Sequence, residues 1–273
     1  MSARKSQGDS GAGAHVEHLD PASTDHSETH PHGAASSAGE RKCQTAFAAQ
    51  ADIVQGREKY REAAEAIAKV RARLTHGTSQ RYGVLLVTSA VPGDGKSFMA
   101  LNLALSLAGP TPDQPTLLID ADLRRPGIAH RLDPAPENGL AQILQGEASF
   151  EASVARIKGT HLDVLTSLRT AHEPSTLLSS ERTRNLITVL RSRYARIVID
   201  TPPLLLFADA DVMASLSDGV LLVARSMQTP KNALSEAIER LSERPLLGIV
   251  LNGGVRNPLD GSSYDYGYKK YYR

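Results

Sequence analysis

The segment from Val84 to Ser97, VLLVTSAVPGDGKS, constrains the fold of this chain more than any other feature. It begins with a short run of Val and Leu bounded by turn residues, which is typical of a β-strand covered on both faces. The part from Ala90 to Ser97 then fits [Ala/Gly]-x4-Gly-Lys-[Ser/Thr], the looser form of the Walker A pattern. Because a helical pattern follows, the segment predicts a strand, a phosphate-binding loop and a helix, in that order.

Within this loop, Gly93 and Gly95 allow the backbone to curl so that successive N–H groups face a phosphate. Lys96 is expected to reach the β- and γ-phosphates of a nucleotide, and the Ser97 hydroxyl to contact Mg²⁺. The alternative is a glycine-rich turn that carries Lys and Ser by coincidence, but the flanking strand and helix favour nucleotide binding. The predicted nucleotide-binding residues of the loop are Pro92, Gly93, Asp94, Gly95, Lys96, Ser97 and Phe98.

Short apolar runs alternate with helical patterns from residue 82 to residue 255. This alternation predicts βαβ units, and hence an α/β fold of the P-loop type with a mostly parallel sheet flanked by helices. Ligands of such sheets bind at the carboxyl ends of the strands. The predicted strands are Gly83–Thr88, Thr116–Asp120, Leu162–Thr166, Ile197–Asp200, Gly219–Ala224 and Gly248–Asn252.

Carboxylates follow two of these predicted strands. Asp120 and Asp122 come after one apolar run, and Asp200 ends another. Since a buried carboxylate is costly unless a cation is near, these three residues are candidates for binding Mg²⁺ of ATP and for accepting a proton during phosphoryl transfer. Arg124 is a candidate for neutralising phosphate charge. The alternative, that each aspartate only caps a helix, fits one such residue better than three beside a Walker A loop.

The chain of 273 residues divides into four predicted parts. Residues 1–45 are rich in Ser, Ala, Gly and His and are expected to be a disordered arm. The five histidines there could bind metal, but their spacing fits no closed site. The remaining parts are a helical segment at 46–80, the P-loop domain at 81–255 and a tyrosine-rich tail at 256–273.

The helical segment is amphipathic. The residues on its apolar face pack either on the chain's own domain, which the spacing alone favours, or against another subunit. They are Tyr60, Ala63, Ala64, Ile67 and Leu74.

Composition excludes several function classes. The formal net charge is +1, so no overall field attracts nucleic acid or an anionic membrane. Cys43 is the one cysteine, which rules out an internal disulfide and suits a cytosolic location. No apolar run approaches the ~20 residues of a membrane span, and the N-terminus lacks the apolar core of a secretory signal.

The C-terminal tail, SSYDYGYKKYYR, contains five of the chain's eight tyrosines. A disordered end with chance tyrosines accounts poorly for this enrichment. The tail is therefore predicted to be a substrate for phosphorylation at several sites, each of which would add about −1.5 to −2 charges. The predicted acceptors are Tyr264, Tyr266, Tyr268, Tyr271 and Tyr272.

Taken together, these motifs resemble those of the bacterial tyrosine kinases of the cytoplasmic capsular and exopolysaccharide type (CpsD/CapB). The shared features are the loop AVPGDGKS, the second Walker-like motif LLIDADLRRP, the Walker B-like VIDTPP and the tyrosine cluster, in the family's order over residues 55–273. The resemblance implies ATP- and Mg²⁺-dependent autophosphorylation of the tail between subunits of a ring. It also implies control of polysaccharide polymerisation and export.

The resemblance further implies roles for individual residues and partners. Lys96, Asp120, Asp122 and Asp200 match the family's catalytic residues, with Ser97, Asp122 and Asp200 on the metal. Asn252 matches a residue that related P-loop proteins place near the adenine. The implied partners are a transmembrane polysaccharide co-polymerase adaptor, which would recruit the chain to the inner face of the membrane, and a cognate tyrosine phosphatase.

One motif departs from the family pattern. Members commonly carry Glu-x-x-Arg-x-x-Arg in the N-terminal helix, and here Glu58 and Arg61 fit while Ala64 replaces the second Arg. The usual oligomer contact is therefore altered. Two alternatives are a MinD/ParA-like switch ATPase and an ATP-binding scaffold without kinase activity. The signature Lys of the switch ATPases would fall at position 91, which is Val91.

Overall fold

The computed structural model describes residues 61–76, 82–108, 115–132, 136–168, 170 and 173–253. Within these residues, seven strands form one sheet in the order β3-β4-β2-β5-β1-β6-β7. The strands are β1 Val84–Ser89, β2 Thr116–Asp120, β3 Val154–Arg156, β4 Leu162–Leu165, β5 Arg196–Asp200, β6 Gly219–Arg225 and β7 Leu246–Asn252.

Helices cover both faces of this sheet. In the described ranges they are α1 Arg61–His76, α2 Lys96–Leu107, α3 Leu140–Gln145, α4 Phe150–Ser153, α5 Pro174–Leu178, α6 Glu181–Arg193, α7 Asp209–Ala214 and α8 Lys231–Arg240, with a 3₁₀ turn at Ala129–Arg131. The mostly parallel α/β fold predicted from the alternating pattern is confirmed.

The central strands are continuous apolar runs because both faces of the sheet are covered. Every residue of β1 and of β2 is buried. The alternating side chains divide the interior into two apolar layers, one containing Leu86 and Ile199 and the other containing Leu85 and Val198. All six predicted strands are present, with ends that differ by at most two residues from those predicted.

The structure adds one strand that the sequence did not predict. β3 has only three residues and pairs antiparallel with β4 at the edge of the sheet. A strand this short shows no recognisable alternation, and it follows α4 without a turn signal. The remaining pairs, from β4 through to β7, are parallel.

Helix α1 packs on its own domain, as the spacing of its apolar residues favoured. Ile67 and Leu74 are buried in the same apolar layer as α2, and Ala64 is partly buried against that layer. Arg71 donates a hydrogen bond to the carbonyl of Ser106 in α2. Residues 46–60 of the predicted helical segment lie outside the described residues, so the predicted domain boundaries stay predictions.

Candidate functional site

The loop between β1 and α2 has the curled backbone that its glycines allow. Gly93 and Gly95 have φ of 88° and 96°, in the left-handed region that favours glycine. A Cβ on Gly95 would also lie only 2.0 Å from Nδ2 of Asn252, so space as well as conformation requires glycine there. The loop leads directly into α2 at Lys96, which places the N-terminus of that helix next to it.

Sheet register brings the predicted acidic residues beside this loop. β5 lies between β1 and β2, and Asp200 is the register partner of both Val87 and Asp120. Lys96 Nζ lies 3.0 Å from Asp122 Oδ2 and 3.8 Å from Asp200 Oδ1. The structure therefore places the lysine of the loop and the three aspartates in one cluster at the carboxyl ends of the strands.

Lys96 is held as a cation in this cluster. Burial lowers the pKa of Lys96, but attraction to Asp200 and Asp122 outweighs it, and the pKa lies above its ordinary value. Its ammonium group also lies 3.2 Å from the hydroxyl of Ser97. The lysine and the serine predicted to contact phosphate and metal thus point to the same place.

The carboxyl group of Asp120 organises the chain after β2. Oδ1 accepts from the N–H of Asp122, and Oδ2 accepts from the N–H groups of Gly127 and Ile128, at 3.0 to 3.1 Å. Burial and the neighbouring Asp200 raise the pKa of Asp120 to about 8, although the backbone donors act in the opposite direction. Asp120 therefore fixes the loop that carries Asp122, in addition to any role in the reaction.

Asp200 has the environment expected of a residue that binds a cation. It is fully buried, and neither carboxylate oxygen has a hydrogen-bond partner among the described residues. Burial raises the pKa of Asp200 to about 6, against the attraction of Lys96. A buried carboxylate without a hydrogen-bond donor is costly, and its counter-charge, the ammonium group of Lys96 at 3.8 Å, is shared with Asp122, so this residue fits Mg²⁺ as a further cation.

The way in which Mg²⁺ would be held also fits these residues. Within the described ranges, no group of three or more His, Cys, Asp or Glu has the geometry of a complete metal site. Mg²⁺ bound with a nucleotide usually takes one or two carboxylates from the protein and completes its shell with phosphates, water and other oxygens. Ser97, Asp122 and Asp200 can provide those protein oxygens, and no further ligand from the chain is needed.

Two predicted nucleotide ligands have contacts that the sequence did not indicate. Asn252, at the end of β7, donates from Nδ2 to the carbonyl oxygen of Asp94 at 2.9 Å, so it supports the loop. Phe98 packs its side chain partly against the apolar layer beneath α2. Pro92 lies exposed in the loop itself. An adenine contact by Asn252 stays a prediction.

Arg124 is bound to acidic partners on two other elements. Nε lies 2.9 Å from Oδ2 of the fully buried Asp209, and a terminal nitrogen lies 2.7 Å from Oε1 of Glu173. The same guanidinium contacts the hydroxyl of Ser175 and stacks on the ring of Phe207, 4.3 Å from its centroid. The predicted contact of Arg124 with phosphate stays a prediction.

Some site residues were not found from the sequence, and one predicted group cannot be placed. Arg225, the last residue of β6, and Thr229, in the turn after it, contact the phosphate-binding loop. Their position at the end of a parallel strand is the signal that could have indicated both residues, but neither has a carboxylate, the group by which the other strand ends are recognised in the sequence. The predicted acceptors Tyr264, Tyr266, Tyr268, Tyr271 and Tyr272 lie outside the described residues.

A parallel sheet whose central strand leads through a glycine-rich loop into a helix, with a lysine and acidic strand ends beside it, defines a P-loop nucleotide-binding protein. Tyrosine-protein kinase YwqD of Bacillus subtilis (strain 168) is 38% identical to this chain over 171 residues, which are 62% of this chain and 71% of YwqD. The kinase domain of VpsO, a crystal structure, has a TM-score of 0.64 at 39% identity and covers 71% of this chain and 97% of that domain. The chain belongs to the bacterial tyrosine kinase family.

Longer relatives match only in part. The succinoglycan biosynthesis transport protein ExoP of Rhizobium meliloti (strain 1021) is 36% identical over 201 residues, which are 69% of this chain but 25% of ExoP. No protein-family model matches the chain. Among the described residues, no helix has the length and apolar character needed to cross a membrane.

The switch ATPases are related to this chain by fold alone. The septum site-determining protein MinD of Pyrococcus horikoshii OT3 has a TM-score of 0.52 at 20% identity, covering 64% of this chain and 72% of MinD. This identity is about half of that shared with YwqD. The comparisons therefore favour the kinase family over the MinD/ParA-like alternative.

Proposed function

We propose that this chain is an ATP- and Mg²⁺-dependent protein tyrosine autokinase that phosphorylates its own C-terminal tyrosines. The observation that carries the proposal is the cluster in which Lys96 contacts Asp122 and lies 3.8 Å from the carboxylate of Asp200, which accepts no hydrogen bond from the described residues. A switch ATPase needs no tyrosine acceptors, whereas this chain has five within residues 264–272. Similarity to YwqD supports the same reaction type.

Each residue of the cluster has a role in this reaction. Lys96 binds oxygens of the β- and γ-phosphates, and its raised pKa keeps it charged throughout. Bound through Ser97, Asp122 and Asp200, Mg²⁺ would offset the charge of the phosphate oxygens. The N–H groups of the loop orient the nucleotide. The carbonyl groups of Gly93 and Asp94 point away from it, because Arg225 and Asn252 at the ends of β6 and β7 donate hydrogen bonds to them.

The transfer step needs an acceptor for one proton. The phenolic oxygen forms a bond to the γ-phosphorus, the bond from that phosphorus to the bridging oxygen of ADP breaks, and the phenolic proton passes to a carboxylate. Asp120, Asp122 and Asp200 are the candidates. Because Asp120 and Asp200 interact directly, the proton is assigned to the cluster and not to one oxygen.

Two nucleotide contacts complete the proposed site. Arg124 reaches a phosphate oxygen by exchanging its exposed partner Glu173, while Asp209 continues to hold the guanidinium. Asn252, at the end of β7, contacts the adenine from beside the phosphate-binding loop, where its side chain is bonded to Asp94. Shortening the side chain of Arg124 or of Asn252 should therefore weaken nucleotide binding.

We also propose partners that act with the kinase. A membrane adaptor of the polysaccharide co-polymerase type recruits the chain to the inner face of the membrane, and a cognate tyrosine phosphatase reverses the modification. The name of ExoP, a transport protein of succinoglycan biosynthesis of which this chain matches a quarter, supports a role in polysaccharide polymerisation and export.

Tail phosphorylation between subunits further requires a homo-oligomer, proposed to be a ring. Ala64 stands where the family has a second Arg, and it packs partly against the chain's own core. The contact between subunits through this helix is therefore expected to be weak in the absence of the adaptor. Restoring the side chain with Ala64→Arg should shift the mass measured by analytical ultracentrifugation toward larger assemblies.

The proposal is tested by intact-mass measurement of the purified full chain after incubation with Mg-ATP. The reaction is run alone and with the cytoplasmic segment of a candidate adaptor. A ladder of up to five phosphates that maps to residues 264–272 is the expected result. ATP binding or hydrolysis with no phosphotyrosine under either condition would instead indicate a switch ATPase or a scaffold.

A further inference from the structure

The turn after β6 is attached to the phosphate-binding loop through one hydroxyl group. Thr229 donates from Oγ1 to Oδ1 of Asp94 at 2.6 Å, and the same oxygen accepts from the N–H of Arg225 at 2.6 Å. Asp94 is only 2% exposed although it lies in a loop that binds anions. Thr229 is the close partner of this carboxylate, whose other oxygen accepts a longer hydrogen bond of 3.5 Å from the N–H of Val91.

The loop carbonyls are held from the same side. Arg225 donates from its guanidinium to the carbonyl oxygen of Gly93 at 3.2 Å, and Asn252 donates to that of Asp94 at 2.9 Å. In a trans peptide the C=O and the following N–H point in opposite directions. Holding these two carbonyls toward β6 and β7 therefore turns the N–H groups of Asp94 and Gly95 to the opposite side of the loop, as an anion-binding cradle requires.

We propose that Thr229 is a positioning residue for nucleotide binding, acting through Asp94 on the shape of the loop. Its hydroxyl keeps the Asp94 carboxylate turned away from the phosphates, which that carboxylate would otherwise repel. This inference rests on the proposed ATP binding at the loop. Thr229 does not touch the reacting atoms, so its effect belongs to binding and not to the transfer step.

The backbone of the turn supports this assignment. Met227 has φ of 60°, the one positive φ of a non-glycine residue in the described part of the chain, and its side chain is exposed. Such conformations are unfavourable and persist where the surrounding contacts require them. Here the left-handed residue lies between Arg225 and Thr229 and allows the chain to fold back, so that the hydroxyl meets both its donor and its acceptor.

The test compares Thr229→Val, which keeps the shape and removes the hydroxyl, with Thr229→Ser, which keeps the hydroxyl. Since this hydrogen bond goes to a charged group, Thr229→Val should weaken Mg-ATP binding by about tenfold or more in calorimetry of the full chain. Thr229→Ser should bind as the parent protein does. The matched control is Thr188→Val, at an exposed threonine of α6 that bonds only its own helix.

Kinetics distinguish positioning from a structural effect. Thr229→Val should raise the KM for ATP and leave kcat at saturating ATP close to that of the parent. A merely structural role would lower the melting temperature but leave the KM unchanged at a temperature well below melting. If Thr229→Val does not fold, Thr229→Ala also removes the hydroxyl while keeping the Asp94 carboxylate, and it should give the same rise in KM.

The outcomes separate this inference from the proposed function. If the parent protein binds no Mg-ATP, the proposed function fails and the inference with it. If the parent binds and Thr229→Val binds equally well, the inference alone is overturned. Loss of binding by Thr229→Ser to the same extent as by Thr229→Val would also overturn it, because the hydroxyl would then not be responsible.

Discussion

Replacement of Arg124 by Met should destabilise the protein strongly, because it leaves a buried carboxylate without its cation. Asp209 is fully buried, and the guanidinium contacts both of its oxygens, at 2.9 and 3.3 Å. Removing one member of a buried ion pair costs about 3–5 kcal/mol. The hydroxyl of Ser175 still donates to Asp209, and the Arg124 side chain is 25% exposed, so water can partly replace it. We therefore expect a loss of about 3 kcal/mol.

Thermal and denaturant unfolding measure this loss. For a domain of this size, 1 kcal/mol corresponds to about 2–4 °C, so Arg124→Met should lower the melting temperature by about 6–12 °C. The double variant Arg124→Met/Asp209→Asn removes both charges and should recover at least about 1 kcal/mol relative to the sum of the single variants. The control is Arg193→Met, whose pairing with Glu151 is exposed and should cost less than about 1 kcal/mol.

Two results would contradict the expected loss of stability. One is a loss below about 1 kcal/mol for Arg124→Met, which would mean that Asp209 is stabilised without the guanidinium. The other is additivity of the two single variants, which would show that the residues do not interact. Calorimetry of Mg-ATP binding to the same variant tests the separate proposal that Arg124 contacts phosphate, since folding and binding are read independently.

Four further outcomes are expected. Lys96→Met should abolish phosphotyrosine in intact-mass spectra while the chain stays folded, whereas substitution of the exposed Lys158 should have no effect. Replacing all five tyrosines of residues 264–272 with Phe should remove most phosphate incorporation and leave ATP binding intact; labelling that stays high would point to another acceptor. Asp200→Asn should raise the melting temperature of the nucleotide-free protein above about pH 6 and remove the further rise given by Mg-ATP, because it removes a buried charge that has no hydrogen-bond donor and whose pKa burial raises to about 6. Burial tends to raise the pKa of Asp218, but the hydrogen bond and charge of Arg191 outweigh it and hold the pKa below its usual value. This ion pair therefore stabilises the protein above about pH 4, and the stabilisation is lost as the pH falls further. Denaturant titrations of Arg191→Met should show a weaker loss of stability in acid, and an unchanged loss would contradict this assignment.

The acidic cluster could be predicted from the sequence because parallel strands constrain where their ends lie. Asp120 and Asp200 are 80 positions apart in the chain, yet each ends an apolar run, and register then places them side by side. The conformation of the phosphate-binding loop was predictable for a similar reason, since Gly93 and Gly95 leave few alternatives. In both cases local patterns determine the geometry.

Other contacts could not be predicted because they depend on how separate elements pack. Nothing near Arg124 in the sequence indicates that it binds Asp209, which lies 85 positions away. The contact of the Asn252 side chain with the phosphate-binding loop likewise follows from the pairing of β6 with β7. The register of this pair shifts between Val220 and Leu221. Positively charged and amide side chains have many possible partners, so only the folded arrangement selects one.

Three carboxylates lie close together at the carboxyl ends of the strands, and the charge balance of the site explains why this unfavourable arrangement is found there. The ammonium group of Lys96 lies 3.0 Å from Asp122 and 3.8 Å from Asp200, Asp120 is the register partner of Asp200, and burial raises the pKa of Asp120 and Asp200. Protonation relieves this repulsion only in part, whereas a divalent cation relieves it while the carboxylates remain charged. The nucleotide-free site thus costs stability that the proposed binding of Mg-ATP would recover, as expected where a site is shaped for a charged ligand and not for the folding of the chain.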